Sequence, residues 1–133
     1  MILLPWPPSA NAMWRSGRRC YLSQQYKTFL TDARAYYLQQ GAPRISGRVA
    51  VTVYLFPPNY RTYDVDNRIK PTLDALTKCG FWDDDKQVRR VTAIEGAPVA
   101  NGAIVVKVEP YEQADVTALC KRFNLKPLGK KHV

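Results

Sequence analysis

The run VAVTVYLF, Val49 to Phe56, constrains the fold more than any other part of this 133-residue chain. Val49, Val51, Val53 and Leu55 alternate with Ala50, Thr52, Tyr54 and Phe56, at the two-residue period of an extended strand. β-branched and aromatic residues dominate it, as suits a pleated surface. Both alternating sets are largely apolar, so neither face belongs wholly in water. The run predicts a central strand with both faces at least partly covered, in a chain of a length that suits one domain.

The flanking segments supply the cover. RRCYLSQQYKTFLTDARAYYLQQGAP predicts a short strand and then a helix, with Ser23 as N-cap and Gly41 followed by Pro43 as the stop. Tyr26, Phe29, Leu30, Ala33 and Tyr37 recur at helical spacing and form one apolar face. A loop, PPNYRTY, follows the central strand. The segment from Asn67 to Cys79 predicts a second helix ending at Gly80, with Ile69, Leu73 and Leu76 on its buried side. Pro71 leaves two arrangements open there. It either takes the first helical position, or it disturbs a capped turn that starts at Asp66. QVRRVTAIEG and AIVVKVEP predict two further strands, and Asn101-Gly102 between them is a hairpin signal. QADVTALCKRFN predicts a terminal helix, followed by the basic tail LKPLGKKHV.

Charge narrows the function. The net charge is +9 and the isoelectric point about 9.7, which suits a polyanionic partner. Six of the eleven acidic residues nevertheless fall between Asp64 and Asp85, against only Arg68, Lys70 and Lys78. An acidic island in a basic chain is what a phosphodiester-cutting enzyme needs: the basic part gathers phosphate and the island holds a cation. A basic protein with solvated acidic turns has the same composition, so composition does not decide between them. Cys20, Cys79 and Cys120 are odd in number and widely spaced, which predicts free thiols in a reducing compartment and argues against a zinc site. The single histidine, His132, argues against histidine-based chemistry. MILLPWPPSA has no basic lead and few apolar residues before Pro5, so neither a secretory signal nor a membrane span is expected.

Asp64 and Asp66, one residue apart in TYDVDNRIKP, can project in similar directions and supply two oxygen ligands to a hard cation such as Mg²⁺. A third ligand would come from WDDDK. A helix from Pro71 to Cys79 covers roughly 13 Å, and the steps from Cys79 to Asp85 span up to about 20 Å. The chain can therefore double back and deliver an aspartate beside the first two. Lys70, about one turn from Asp66, could contact a non-bridging phosphate oxygen or simply pair with Asp74. Asn67 could cap the helix or offer its carbonyl oxygen to a metal; capping is the ordinary role. A bare Asp-x-Asp is a weak signal. Haloacid-dehalogenase phosphatases place theirs directly after a buried strand, and glycosyltransferases need longer chains. Three acids at a helix C-terminus, where the dipole disfavours them, point toward a bound cation.

The joint pattern DVDNRIKPTLDALTKCGFWDDDKQV resembles the signature of the RusA family of Holliday-junction resolvases, endodeoxyribonucleases of bacteria and their phages. Asp64, Asp66, Asn67, Lys70, Asp74-Ala75-Leu76, Gly80, Asp84-Asp85 and Gln87-Val88 match in order and spacing, and LPWPPSAN resembles the family's opening element. The resemblance runs from Leu4 to about Val108. It implies that Asp64, Asp66 and Asp85 hold Mg²⁺, with Mn²⁺ as a substitute, and that Lys70 assists catalysis. Asp84 is a weaker ligand candidate, and Asp83 a bystander. The implied fold is a small α+β domain with a mixed β-sheet packed by two main helices, plus a short C-terminal helix. Residues 1–110 would form the nuclease domain and 111–133 a C-terminal helix and basic tail.

The implied protein is a cytoplasmic homodimer, bacterial or phage-encoded, that nicks two opposed strands of a four-way junction and leaves 5′-phosphates. It needs no small-molecule cofactor. A two-fold junction suits a two-fold protein. Arg15, Arg18, Arg19, Arg61, Arg68, Arg89 and Arg90, with Asn67, are candidate contacts to DNA phosphates. Trp6 and Trp14 could stack on a base, although burial is the commoner role. Two other readings share these residues: a non-catalytic branched-DNA-binding protein, and a nuclease preferring flaps or forks.

Overall fold

The computed structural model describes residues 1–16 and 20–129. In chain order the strands and helices are β1 (Ile2–Leu4), β2 (Trp14–Arg15), β3 (Tyr21–Leu22), α1 (Gln24–Gln39), β4 (Val49–Phe56), α2 (Asp66–Cys79), β5 (Val88–Glu95), β6 (Ala103–Pro110) and α3 (Thr117–Arg122). A four-stranded sheet in the order β1-β6-β4-β5 carries the fold, and β2 pairs with β3 in a separate small ribbon. β4 is central, as its composition requires. It runs antiparallel to β6 and parallel to β5. A parallel pair needs a crossover, and α2 provides it. The result is a mixed sheet in an α+β domain.

One face of the sheet is the core. Val49, Val51, Val53 and Leu55 of β4 are buried there with Ile104 and Val106 of β6 and Ile2 and Leu4 of β1. Tyr26, Phe29, Ala33 and Tyr37 of α1 and Ala75 and Leu76 of α2 close over them. The other alternating set of β4 is only partly covered. On that face Leu3, Val105, Tyr54 and Ile94 form one transverse row across all four strands. α1 begins as its sequence predicts, with the Ser23 hydroxyl oxygen accepting from the Tyr26 amide at 3.1 Å. All three cysteines are free thiols. Among the described residues, no helix is long and apolar enough to cross a membrane.

Four expectations are corrected. β5 and β6 do not form a hairpin, because β4 lies between them. Asn101 and Gly102 do turn with positive φ, at 65° and 67°, but the connection is too long for a two-residue hairpin and steps past the end of β4. Gly96 N–H donates to Leu55 O at 2.7 Å and Val99 N–H to Pro57 O at 2.9 Å. A Cβ on Gly96 would meet the Phe56 ring at 2.5 Å, so any other residue would have to push that ring aside. Second, of the two arrangements left open at Pro71 the one starting at Asp66 is present, with Pro71 inside α2, but its N-cap position is Val65, with no side-chain cap. Asn67 is therefore not the cap, and its carbonyl loses the helical donor that Pro71 cannot supply. Third, the residues of α2 facing the core are Pro71, Thr72, Ala75 and Leu76; Ile69 and Leu73 are only partly buried. Fourth, Trp82 is the fully buried tryptophan, whereas Trp14 is 54% exposed. β1 and β2 were not foreseen, being too short to show a period.

Candidate active site

The turn after α2 is what brings the second acidic segment back to the first. Phe81 N–H donates to Leu76 O at 3.0 Å, and Ile45 N–H donates to Phe81 O at 2.9 Å. Trp82 is buried, with its indole N–H donating to Thr77 Oγ1 at 2.6 Å. Gln87 then pins the aspartate loop. Its Oε1 accepts from the amides of Asp83 and Asp84 at 3.0 and 3.2 Å, while its Nε2 donates to Gly47 O at 2.9 Å.

This fixed loop gives three adjacent aspartates three different tasks. Asp83 forms an exposed ion pair with Arg44 at 2.8 Å. Asp84 caps the short 3₁₀ turn Asp85–Gln87, accepting from the Lys86 amide at 2.8 Å in a capping box with Gln87. That amide donation is the main reason its carboxyl sits below the usual carboxylate range. Asp85 turns toward α2. With Asp66, Lys70 and Asp74 it lines an open cavity of about 380 Å³, floored by Ile69 and Leu73.

Asp66, Lys70 and Asp74 follow one another at four-residue spacing along α2, so they share a face. Asp74 was weighed from sequence only as an ion-pair partner of Lys70. The pair is present but long, with Lys70 Nζ at 3.7 Å from Asp74 Oδ2, and Asp74 also faces Asp85. The four-residue stripe was the signal that places it in the cavity. Asp64 lies outside the lining and accepts from Asn67 Nδ2 at 3.2 Å. The structure thus brings Asp66, Asp85 and Lys70 together, and leaves Asp64 and Asp84 at the margin.

The donor set suits a hard divalent cation, because every ligating atom offered is a carboxylate oxygen. Partial burial is the first cause raising the Asp85 carboxyl above its ordinary value; Asp84 and then Asp74 push it further, against Lys70. A cation would relieve that crowding. Among the described residues, no three acidic, histidine or cysteine side chains stand together at ligand distance. Like charges without a counter-ion have reason to stay apart.

The basic residues divide similarly. Arg15, Arg61, Arg89 and Arg90 are exposed. Arg68 turns inward instead, donating from Nη1 to Pro7 O at 2.6 Å and lying 5.3 Å over the Trp6 ring. Arg18 and Arg19 fall outside the described residues.

The description Endodeoxyribonuclease RusA matches residues 5–109, most of the chain. The chain belongs to the RusA family. Relatives extend the likeness beyond a motif. It is 31% identical over 112 residues to the crossover junction endodeoxyribonuclease rusA of Enterobacteria phage HK97, covering 83% of this chain and 93% of that protein. It is 35% identical to the RusA protein of the same name in Escherichia coli strain K12, over 76% of this chain and 85% of that one. The Shigella sonnei protein is 37% identical over the same shares. RusA proteins are divalent-metal-dependent endodeoxyribonucleases.

Proposed function

We propose that this chain cuts DNA crossover junctions as a Mg²⁺-dependent endonuclease, with Mn²⁺ as a substitute, working as a homodimer that places symmetric nicks. The observation that carries the reading is the convergence of Asp66, Asp85 and Lys70, from two segments, on one open cavity in a basic protein. The names of the curated relatives supply the substrate class.

Asp66 and Asp85 would hold the cation, with Asp64 reaching in from the chain just before α2 and Asp84 from the adjoining cap. When bound, the cation supplies a water of lowered pKa and offsets charge that builds on the phosphate. Lys70 Nζ stands over the cavity, where it can meet a non-bridging oxygen of the scissile phosphate. Asp74 holds Lys70 on that side. The product would carry a 5′-phosphate and a 3′-hydroxyl. Arg15, Arg61, Arg89 and Arg90, all exposed, would follow the phosphate backbone, which carries affinity without reading sequence; Arg18 and Arg19 keep that proposed role from sequence alone. Asn67 acts through its bond to Asp64. The catalytic unit would span residues 1–110, with 111–133 as an appended helix and tail.

The two-fold symmetry of a four-way junction supports the homodimer, as does the only partly covered apolar row Leu3, Val105, Tyr54 and Ile94. Cleavage of a four-way junction, a fork and a linear duplex, each with Mg²⁺ and with chelator, tests the reading. Paired nicks in the junction alone, only with Mg²⁺, are expected. Faster cutting of the fork would move the substrate and keep the chemistry. Sedimentation of the protein alone checks the dimer.

A further inference from the structure

A second cavity, of about 240 Å³, opens beside the first turn of α2. Arg68 lines it, and two residues along a helix put Arg68 about 200° around the axis from Asp66, facing away from the carboxylates. Trp6, Asn59, Arg61, Thr62 and Tyr63 complete the wall, with Pro57 and Pro58 at its edge.

The walls are held from three directions. The Trp6 and Tyr63 rings meet edge to face at 5.3 Å. Gly102, at φ 67°, packs so tightly here that a Cβ would lie 2.8 Å from Trp6 Cβ and 3.1 Å from Pro58 Cδ. Asn59 Oδ1 accepts from the Arg61 amide at 2.9 Å, which fixes the loop and leaves the Asn59 amide nitrogen as a donor.

Two groups in this wall are buried with no hydrogen-bond partner, Arg68 Nε and the Tyr63 hydroxyl. Buried polar groups are nearly always paired, so two orphans in one wall leave it short of acceptors. The chemistry offered is one-sided. Arg61, Arg68, Tyr63 and the Asn59 amide all donate, and no carboxylate lines the space; Glu95 acts on Tyr63 from outside the lining. An acceptor-only anion fits. A base would bring donors of its own, and Arg68 already covers the Trp6 ring.

We propose that this cavity seats a phosphodiester of the bound DNA away from the scissile one, and that Arg68 and Tyr63 are positioning residues that index the DNA over the carboxylates. Tyr63 is bonded directly to Asp64, so a phosphate held here fixes the strand beside the catalytic segment. The inference rests on the nuclease reading above and adds a subsite to it.

The test is a scan of single neutral methylphosphonate linkages, and separately of single abasic sites, around the cut in a synthetic four-way junction. Binding is measured with chelator and single-turnover cleavage with Mg²⁺. One linkage away from the scissile bond should weaken wild-type binding by about tenfold when neutralised. That penalty should shrink in Tyr63→Phe and vanish in Arg68→Met, because a mutant cycle loses the coupling once either partner is gone. Tyr63→Phe is nearly isosteric and carries the test if Arg68→Met melts early. A full penalty in both variants overturns the proposal. So does a scan in which abasic sites matter at this position and charge does not, since the occupant is then a base. Failure of the nuclease reading shows separately, as an unmodified junction that wild type binds and never cuts.

Discussion

Two cavities flank the start of α2, and they are built on opposite plans. On the carboxylate side Asp66 and Lys70 rise from one helix and Asp85 from one loop. Lys70 is 66% exposed, and its ion pair with Asp74 is long at 3.7 Å. On the other side Arg68 and Tyr63 are wedged against Trp6, each with a buried, unpaired donor. The first site sets like charges around an open cavity, which under the proposed function a cation would draw together. The second is shaped by packing before any ligand arrives. Under the two proposals, a site that needs a counter-ion and a site that needs a fixed index have different structural costs, and the two lie half a helical turn apart.

Mutations can break or sharpen that contrast. Lys70→Ala should slow single-turnover cleavage by about 10²–10³-fold while leaving the melting temperature almost unchanged, because an exposed long ion pair stabilises little. A matching loss of stability would make Lys70 structural. Asp74→Asn should raise the Mg²⁺ concentration for half-maximal cleavage by about tenfold, as expected of a group that orients the site's ligands. Metal titration of the rate reads this directly. Arg68→Ala should lower stability by about 1.5 kcal/mol through the lost Pro7 hydrogen bond and Trp6 contact, and thermal melting in chelator checks it. An unchanged melting temperature would mean that the second cavity is no more pre-organised than the first.

The smallest effect has the opposite sign. Folding raises the Asp85 carboxyl, so the folded chain holds that proton more tightly than the unfolded chain does. Stability from this group is greatest below its unfolded value and falls as pH rises through the folded one; at neutral pH the whole penalty is present. Asp85→Asn should therefore raise the melting temperature in chelator slightly, by about 1 °C, since the group is largely exposed and screened. Mg²⁺ should then stabilise wild type more than the variant.

Much of this was legible in the residues. The double apolar alternation of Val49–Phe56 gave the central strand, and the helical spacing of Tyr26, Phe29, Ala33 and Tyr37 gave the face of α1. Chain reach permitted the doubling back without demanding it, and the resemblance singled out Asp85 among the three aspartates. The strand order was less legible, because Asn101-Gly102 signals a turn and says nothing of a strand lying between its neighbours. The split among Asp83, Asp84 and Asp85 could have been read in part: Asp84 and Gln87 have capping-box spacing, and Asp74 completes a four-residue stripe with Asp66 and Lys70. The inward turn of Arg68 could not, because it depends on Trp6 and Pro7, far away in sequence and brought near only by the sheet.

The most direct test of the central claim compares wild type with Asp85→Asn on a four-way junction, measuring binding in chelator and single-turnover cleavage in Mg²⁺. The account predicts equal binding and a loss of cleavage of about 10³-fold or more. Cleavage within a few-fold of wild type would remove Asp85 from the catalytic centre and contradict the site as described.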